Sequence, residues 1–170
     1  MPTILTNPLV HPLRYRMLLF DADDTLRRCT VPGQPCPNRP DEWALLPNVV
    51  ETLATYAGRY GARYAALVSN QGGVALGYLS WWTAHGLLEA CAKAALPASL
   101  SHCVYLCPHL SSADCPCRKP SPLLLLKAIE VRQCSLAESL FVGDQESDRE
   151  AAARAGVDFC WAADFFGWED

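Results

Sequence analysis

The chain has 170 residues, 51% of them apolar and 19% charged, with a net charge of −4 and a pI near 5.5. That length suits one domain around one core, and the composition excludes a disordered tail. The acidic balance gives no general attraction for phosphate polymers. No apolar run approaches the roughly 20 residues that span a bilayer, so no membrane partner is expected. Residues 1–16 lack the basic-then-apolar order of a secretory leader, which predicts a cytoplasmic location.

Residues 1–15, with Pro2, Pro8 and Pro12, read as an N-terminal extension of a single domain that occupies the chain from 1 to 170. Residues 16–20 form an apolar run ending at carboxylates, as a buried strand would. Residues 27–46 hold Pro32, Pro35, Pro37, Pro40 and Gly33 and read as a long structureless loop. Val49, Leu53 and Tyr56 recur at helical spacing within 48–60, with Pro47 suited to the first turn and Gly61 to the stop. A strand over 63–68, a helix over 80–96 and a strand over 104–106 follow. The leucine-rich stretch 120–133 predicts a third helix and 140–142 a fourth strand. An alanine-rich helix over 147–155, closed by Gly156, and a strand over 157–161 complete the series.

Apolar strands alternating with helices call for an α/β fold, a doubly wound parallel sheet covered on both faces. Ligands of such sheets sit beyond the carboxyl ends of the strands. The polar clusters fall there: Asp21-Ala22-Asp23 after the first strand, Ser69-Asn70 after the second, Gly143-Asp144 after the fourth.

Phosphate ester hydrolysis needs an in-line nucleophile, charge neutralisation on the phosphoryl oxygens and a proton for the leaving group. Asp21 can take the phosphoryl group as an aspartyl phosphate. Asp23, two residues on, can protonate the leaving oxygen and then activate water. Carboxylates around a phosphate repel it unless a cation sits among them, and Mg²⁺ suits hard oxygens. Asp144 and Asp148 supply further acidic oxygens, Lys119 a point charge and Ser69 a hydroxyl.

The chain holds nine cysteines. Cys107-Pro108-His109 and Cys115-Pro116-Cys117, separated by five residues, offer three thiolates and an imidazole, the donor set of a closed structural zinc site. Cys91, Cys103, Cys134 and Cys160 lie in apolar stretches and read as core residues. Cys29 and Cys36 lie in the loop, where a second metal site is the weaker reading. Trp81 and Trp82, adjacent on a helix, face different directions, so at least one is expected in the core; either would stack on a base or sugar.

The sequences Phe20-Asp21-Ala22-Asp23-Asp24-Thr25-Leu26, Ser69-Asn70-Gln71-Gly72-Gly73, Lys119-Pro120 and Gly143-Asp144 with Asp148 resemble, in order, the four motifs of the haloacid dehalogenase-like (HAD) hydrolases. The resemblance covers residues 16 to about 166. It implies a Rossmann-like core, with Asp21 as nucleophile and Asp23 as general acid/base. It implies too that Thr25, Ser69, Asn70 and Lys119 surround the phosphoryl group. Asp21, Asp144 and the main-chain carbonyl of Asp23 would bind magnesium, and Asp148 would orient its waters. Asp24 stands where many of these phosphatases carry glycine.

The zinc-ligand spacing running into Arg118-Lys119 resembles the zinc-containing histidinol-phosphate phosphatases and the heptose bisphosphate phosphatases. That likeness implies no large cap domain and a substrate contact for Arg118. The aromatic tail, Phe159 to Trp168, is similar to the end of polynucleotide 3′-phosphatase domains, or else packs a last helix on the sheet. Three functions are therefore carried forward. The favoured one is a magnesium-dependent phosphatase of small metabolites such as a sugar phosphate, heptose bisphosphate or histidinol phosphate. The others are a polynucleotide 3′-phosphatase and an inactive zinc-stabilised binding module, the last opposed by the presence of every catalytic group.

Overall fold

The computed structural model describes residues 4–5 and 14–168; most of the N-terminal extension expected over 1–15 lies outside them. The strands are β1 (Ile4–Leu5), β2 (Met17–Phe20), β3 (Arg27–Cys29), β4 (Trp43–Leu45), β5 (Tyr64–Asn70), β6 (Ser101–Cys107), β7 (Ser139–Gly143) and β8 (Asp158–Trp161). The helices are α1 (Val49–Gly58), α2 (Trp81–Ala95), α3 (Leu123–Val131), α4 (Glu146–Ala155) and α5 (Ala162–Phe166). No helix of the described residues is long and apolar enough to cross a membrane.

Six strands form one parallel sheet in the order β1-β8-β7-β2-β5-β6. Strand side chains alternate between faces, and two cores result. Leu18, Phe20, Leu67, Leu140 and Val142 pack with α1, α2 and α5. Met17, Leu19, Val68 and Phe141 pack with α3 and α4 on the other side. The doubly wound α/β expectation holds. The chain leaves β2 for β5 on one side and later reaches β7 on the other, so the crevice between β2 and β7 is the switch point where such sheets bind ligands.

Local signals set several boundaries. Ser80 caps α2, its hydroxyl accepting from the Thr83 amide at 3.0 Å. Gly156 ends α4 in the left-handed region (φ 79°), where a side chain would be strained. Asn48 precedes α1, so Pro47 lies outside the helix rather than in its first turn. Its carbonyl accepts instead from the Trp168 indole at 2.7 Å. The strand expected over 104–106 extends to Ser101–Cys107, and α3 is shorter than the stretch 120–133. The second strand runs on to Asn70, so Ser69 and Asn70 are strand residues rather than the loop after it.

Three further expectations are corrected. The loop 27–46 is not structureless: β3 and β4 pair as an antiparallel hairpin, Arg27 opposite Leu45 and Cys29 opposite Trp43. Neither Trp81 (37% exposed) nor Trp82 (78%) is core, because α2 buries Ala84, Leu88 and Cys91 instead. Cys91 and Cys160 are buried as expected, but Cys103 and Cys134 only partly so. In the tail, Phe165 and Phe166 pack against Phe20, and Phe165 also stacks on Tyr56. The aromatic residues behind the polynucleotide likeness are therefore taken up by internal packing.

The hairpin's connection is fastened by Glu42. Its Oε2 accepts from the Asn38 amide (2.8 Å), the Arg39 amide (3.2 Å) and Gln34 Nε2 (2.9 Å), and its Oε1 from Arg39 Nε (2.9 Å). The Asn38 amide foremost, and then Gln34, lower its carboxyl to about 2. The charged form is thus favoured by folding: the gain is complete above about 4.5, the group's ordinary value, and is lost as pH falls towards about 2. Glu42→Ala is expected to speed hydrogen exchange at the amides of residues 38 and 39 by about tenfold or more, with the sheet amides unchanged. Unaltered exchange at those two amides, followed by mass spectrometry, would refute the latch.

Candidate active site

The site lies at the carboxyl ends of β2, β5 and β7, in a cavity of about 490 Å³ lined by Asp21, Asp23, Ser69, Asn70, Arg118, Lys119 and Asp148, among others. Its centre is the buried ammonium of Lys119. Nζ donates to Asp21 Oδ1 at 2.5 Å and to the Val68 carbonyl at 2.8 Å, and stands 2.7 Å from Asp148 Oδ1. Burial works against the charge on Lys119, but the two carboxylates outweigh it and raise its pKa. Burial likewise pushes Asp21 well above the usual carboxylate range, against the pull of Lys119.

Each partner is held in turn. The Asn70 side-chain amide grips the main chain of Lys119 twice, Oδ1 accepting from the Lys119 amide (3.0 Å) and Nδ2 donating to its carbonyl (3.1 Å). Asp148, in the first turn of α4, accepts from the amides of Asp144 (3.2 Å) and Gln145 (3.1 Å) through Oδ2. Thr25 does not line the cavity; fully buried, its hydroxyl donates to Asp144 Oδ1 at 3.1 Å. It therefore orients an acid rather than reaching the phosphoryl position expected for it.

Asp23 is held by two residues the sequence reading passed over. Arg27 is 0% exposed; its Nε donates to Asp23 Oδ1 at 2.9 Å and its Nη1 to the Leu87 carbonyl at 2.9 Å. Its guanidinium lies 5.8 Å from the centre of the Trp43 ring. Gln71 Nε2 donates to Asp23 Oδ2 and to Ser69 Oγ, both at 2.8 Å. Gln71 lies in the motif Ser69-Asn70-Gln71-Gly72-Gly73, just past the end of β5 and two residues from Ser69. For Arg27 the one local signal was its spacing of four from Asp23, while its partners Leu87 and Trp43 come from α2 and β4. Asp24 is exposed and adopts φ 61°, a left-handed conformation that costs most L-residues about 1–2 kcal/mol and glycine nothing. The backbone thus accounts for glycine at this position elsewhere.

The acidic oxygens suit a hard cation. Carboxylate oxygens of Asp21, Asp144 and Asp148 lie within 4.8 Å of one another. With one ammonium against three carboxylates, the cluster keeps an excess negative charge of two when all are ionised, which a divalent ion would balance. Burial first, and then Asp148, raises Asp144 to about 6. Asp23's carboxylate, turned towards Arg27 and Gln71, is not among the three, leaving only its main-chain carbonyl for the expected metal contact.

Beside the cavity, Cys107, His109, Cys115 and Cys117 converge as expected. Their sulfurs stand 3.2 to 3.6 Å apart, with His109 Nδ1 3.5 Å from Cys107 and 3.4 Å from Cys117. These separations approach the ~3.7 Å edge of a tetrahedron with zinc–sulfur bonds near 2.3 Å. Burial pushes the Cys107 thiol up to about 12. For Cys115 burial also acts upward, but hydrogen bonds from Cys107 and from the amides of Cys117 and Arg118 bring it down to about 6. Arg118 donates through Nη1 to the His109 carbonyl at 2.7 Å, which places it at the cavity wall. Cys29 and Cys36 join no cluster of three metal-binding groups among the described residues.

The family model described as "Haloacid dehalogenase-like hydrolase" matches residues 106–162. A D-glycero-beta-D-manno-heptose-1,7-bisphosphate 7-phosphatase of Pseudomonas putida is 35% identical over 120 residues, 69% of this chain and 66% of that protein. One of Mesorhizobium japonicum is 31% identical over 166 residues, 91% of this chain and 72% of its own length. The matches thus span about half to three quarters of the curated relatives. The crystal structure of D,D-heptose 1,7-bisphosphate phosphatase from B. bronchiseptica, complexed with magnesium and phosphate, superposes with a TM-score of 0.68 at 26% identity. That likeness covers 85% of this chain and 78% of that one.

Gly143 marks how tightly the acids are packed: a Cβ there would stand 2.5 Å from Asp148 Cβ. Gly143→Ala is expected to lower stability by about 1–3 kcal/mol, the range for overpacking a filled site. Urea denaturation followed by circular dichroism measures it, and an unchanged midpoint would contradict the packing.

Proposed function

The chain belongs to the haloacid dehalogenase-like hydrolases, and on that footing we propose that it is a phosphomonoesterase acting on a small phosphorylated metabolite of the sugar-phosphate kind. The observation that carries this reading is the Lys119 ammonium between Asp21 and Asp148 beside an open cavity. It pairs an oxygen nucleophile with the positive charge that a transferring phosphoryl group requires. The names of the heptose bisphosphate phosphatases among its relatives support a sugar-based leaving group.

In this mechanism an Asp21 carboxylate oxygen bonds to phosphorus while the ester oxygen departs with the bonding electron pair and takes a proton from Asp23. Asp23 then removes a proton from water as the water oxygen attacks phosphorus, and the bond from phosphorus to Asp21 breaks. Inorganic phosphate leaves and both acids are restored. Arg27 and Gln71 act as positioning residues, fixing both oxygens of Asp23. Lys119 and Ser69 hold the phosphoryl oxygens, Asn70 fixes Lys119, and Arg118 contacts substrate at the wall. Asp21, Asp144 and the Asp23 carbonyl would hold magnesium, with Asp148 behind them; bound there, the ion neutralises the phosphoryl oxygens. Cys107, His109, Cys115 and Cys117 would hold a closed structural zinc that orders the segment carrying Arg118 and Lys119.

The internal packing of Phe165 and Phe166 removes the main argument for a polynucleotide end as substrate. The acidic balance points the same way, since strand binders depend on neutralising many phosphates.

Asp21→Asn is expected to reduce phosphate release from sugar phosphates by on the order of 10³-fold or more, with the fold intact by circular dichroism. Retention of more than about a tenth of the activity, with magnesium saturating, would overturn the mechanism. Metal analysis of protein purified without chelator should find about one equivalent of zinc. Cys115→Ser should remove it and lower the melting temperature while leaving the sheet folded, because two apolar cores support the sheet independently. Zinc-free wild-type protein would eliminate that site.

A further inference from the structure

Beside the catalytic cavity lies a second lobe of about 420 Å³, walled by the hairpin connection and by the segment after β5. Pro35, Cys36, Gly73 and Leu76 line both spaces, so the lobe adjoins the cavity that holds Asp21. The outer wall is apolar and open to solvent: Leu76 is 53% exposed and Tyr78 66%.

Charge distinguishes the two spaces. The catalytic cavity has two basic side chains at its wall, Lys119 and Arg118. Lys119 is committed to Asp21 and Asp148, and Arg118 is tied through Nη1 to the His109 carbonyl. Among the described residues lining the second lobe there is no lysine, arginine, histidine or carboxylate. Its polar groups are the amides of Gln34 and Asn38 and the thiol of Cys36, which burial raises to about 11 and so keeps neutral. An anion entering this lobe would give up part of its water with no lining cation to replace it. An apolar face entering it would be favoured in proportion to the apolar area it covers.

We propose that this lobe is the leaving-group subsite, and that it takes an uncharged leaving group presenting an apolar ring face. The preferred substrate then carries one phosphate, not two, in contrast to the bisphosphates in the relatives' names. The inference rests on the phosphomonoesterase reading and specifies its substrate class. Tyr78 and Leu76 supply the ring contact, while the reacting phosphate stays with Lys119.

Three primary alkyl esters of similar intrinsic reactivity test it: 2-phenylethyl phosphate, glucose 6-phosphate and fructose 1,6-bisphosphate. Phosphate release is measured with magnesium on the wild type and on Leu76→Ala/Tyr78→Ala, and kcat/KM ratios are compared, so any loss of folded protein cancels. The expected result is an advantage of about tenfold or more for the phenylethyl ester over the bisphosphate, shrinking severalfold in the double variant. Turnover of all three esters with the bisphosphate preferred, or a ring advantage that the double variant leaves intact, would overturn the subsite alone. No turnover of any ester would remove the phosphatase reading and the subsite with it.

Discussion

A buried ammonium between two carboxylates sets the terms for the rest of this site. Lys119 loses its water on burial, and only the close approach of Asp21 and Asp148 makes its charge tolerable there. The three groups come from the end of β2, the first turn of α4 and the loop before α3, so the sheet order must bring those elements to one edge. The reciprocal grip of Asn70 on the Lys119 main chain adds β5 to the same point. Removing Lys119 would leave two buried carboxylates without their cation, which is far more costly than loss of a surface ion pair.

A second layer sorts the acids by neighbour. Asp23 faces the fixed guanidinium of Arg27, whereas Asp144 faces the Thr25 hydroxyl and Asp148. Two aspartates two residues apart, Asp21 and Asp23, are thus placed in unlike electrostatic surroundings.

The parts of this arrangement that could be read from the chain are those whose cause is local. Asp21, Asp144 and Lys119 were legible because short apolar runs or a dense set of metal-binding residues precede them. The four zinc-type ligands were legible because eleven consecutive residues, 107–117, contain them all. What escaped depends on distant partners. The β3–β4 hairpin needs Arg27 to pair with Leu45 across a proline-rich connection, and composition there suggested no structure at all. The burial of Arg27 needs the Leu87 carbonyl, and the exposure of both Trp81 and Trp82 follows from which face of α2 meets the sheet. Thr25 was misjudged because a motif fixes a residue's position but not the direction of its hydroxyl. Asp24 shows the reverse case, in which a backbone angle explains a preference that a side-chain argument could not.

The hairpin also bears on how selectivity is exercised. Enzymes that close a separate domain over their substrate can use the free energy of that closure to assemble the catalytic groups, so the wrong ligand fails at a conformational step. Here the wall beside the cavity is a short antiparallel pair whose connection is fastened by one carboxylate, and Asp21 and Asp23 already touch Lys119 and Arg27. Induced fit has little left to assemble. On the proposed phosphatase reading, discrimination falls instead to static complementarity, and competing substrates are sorted by how well the preformed cleft fits the transition state of each.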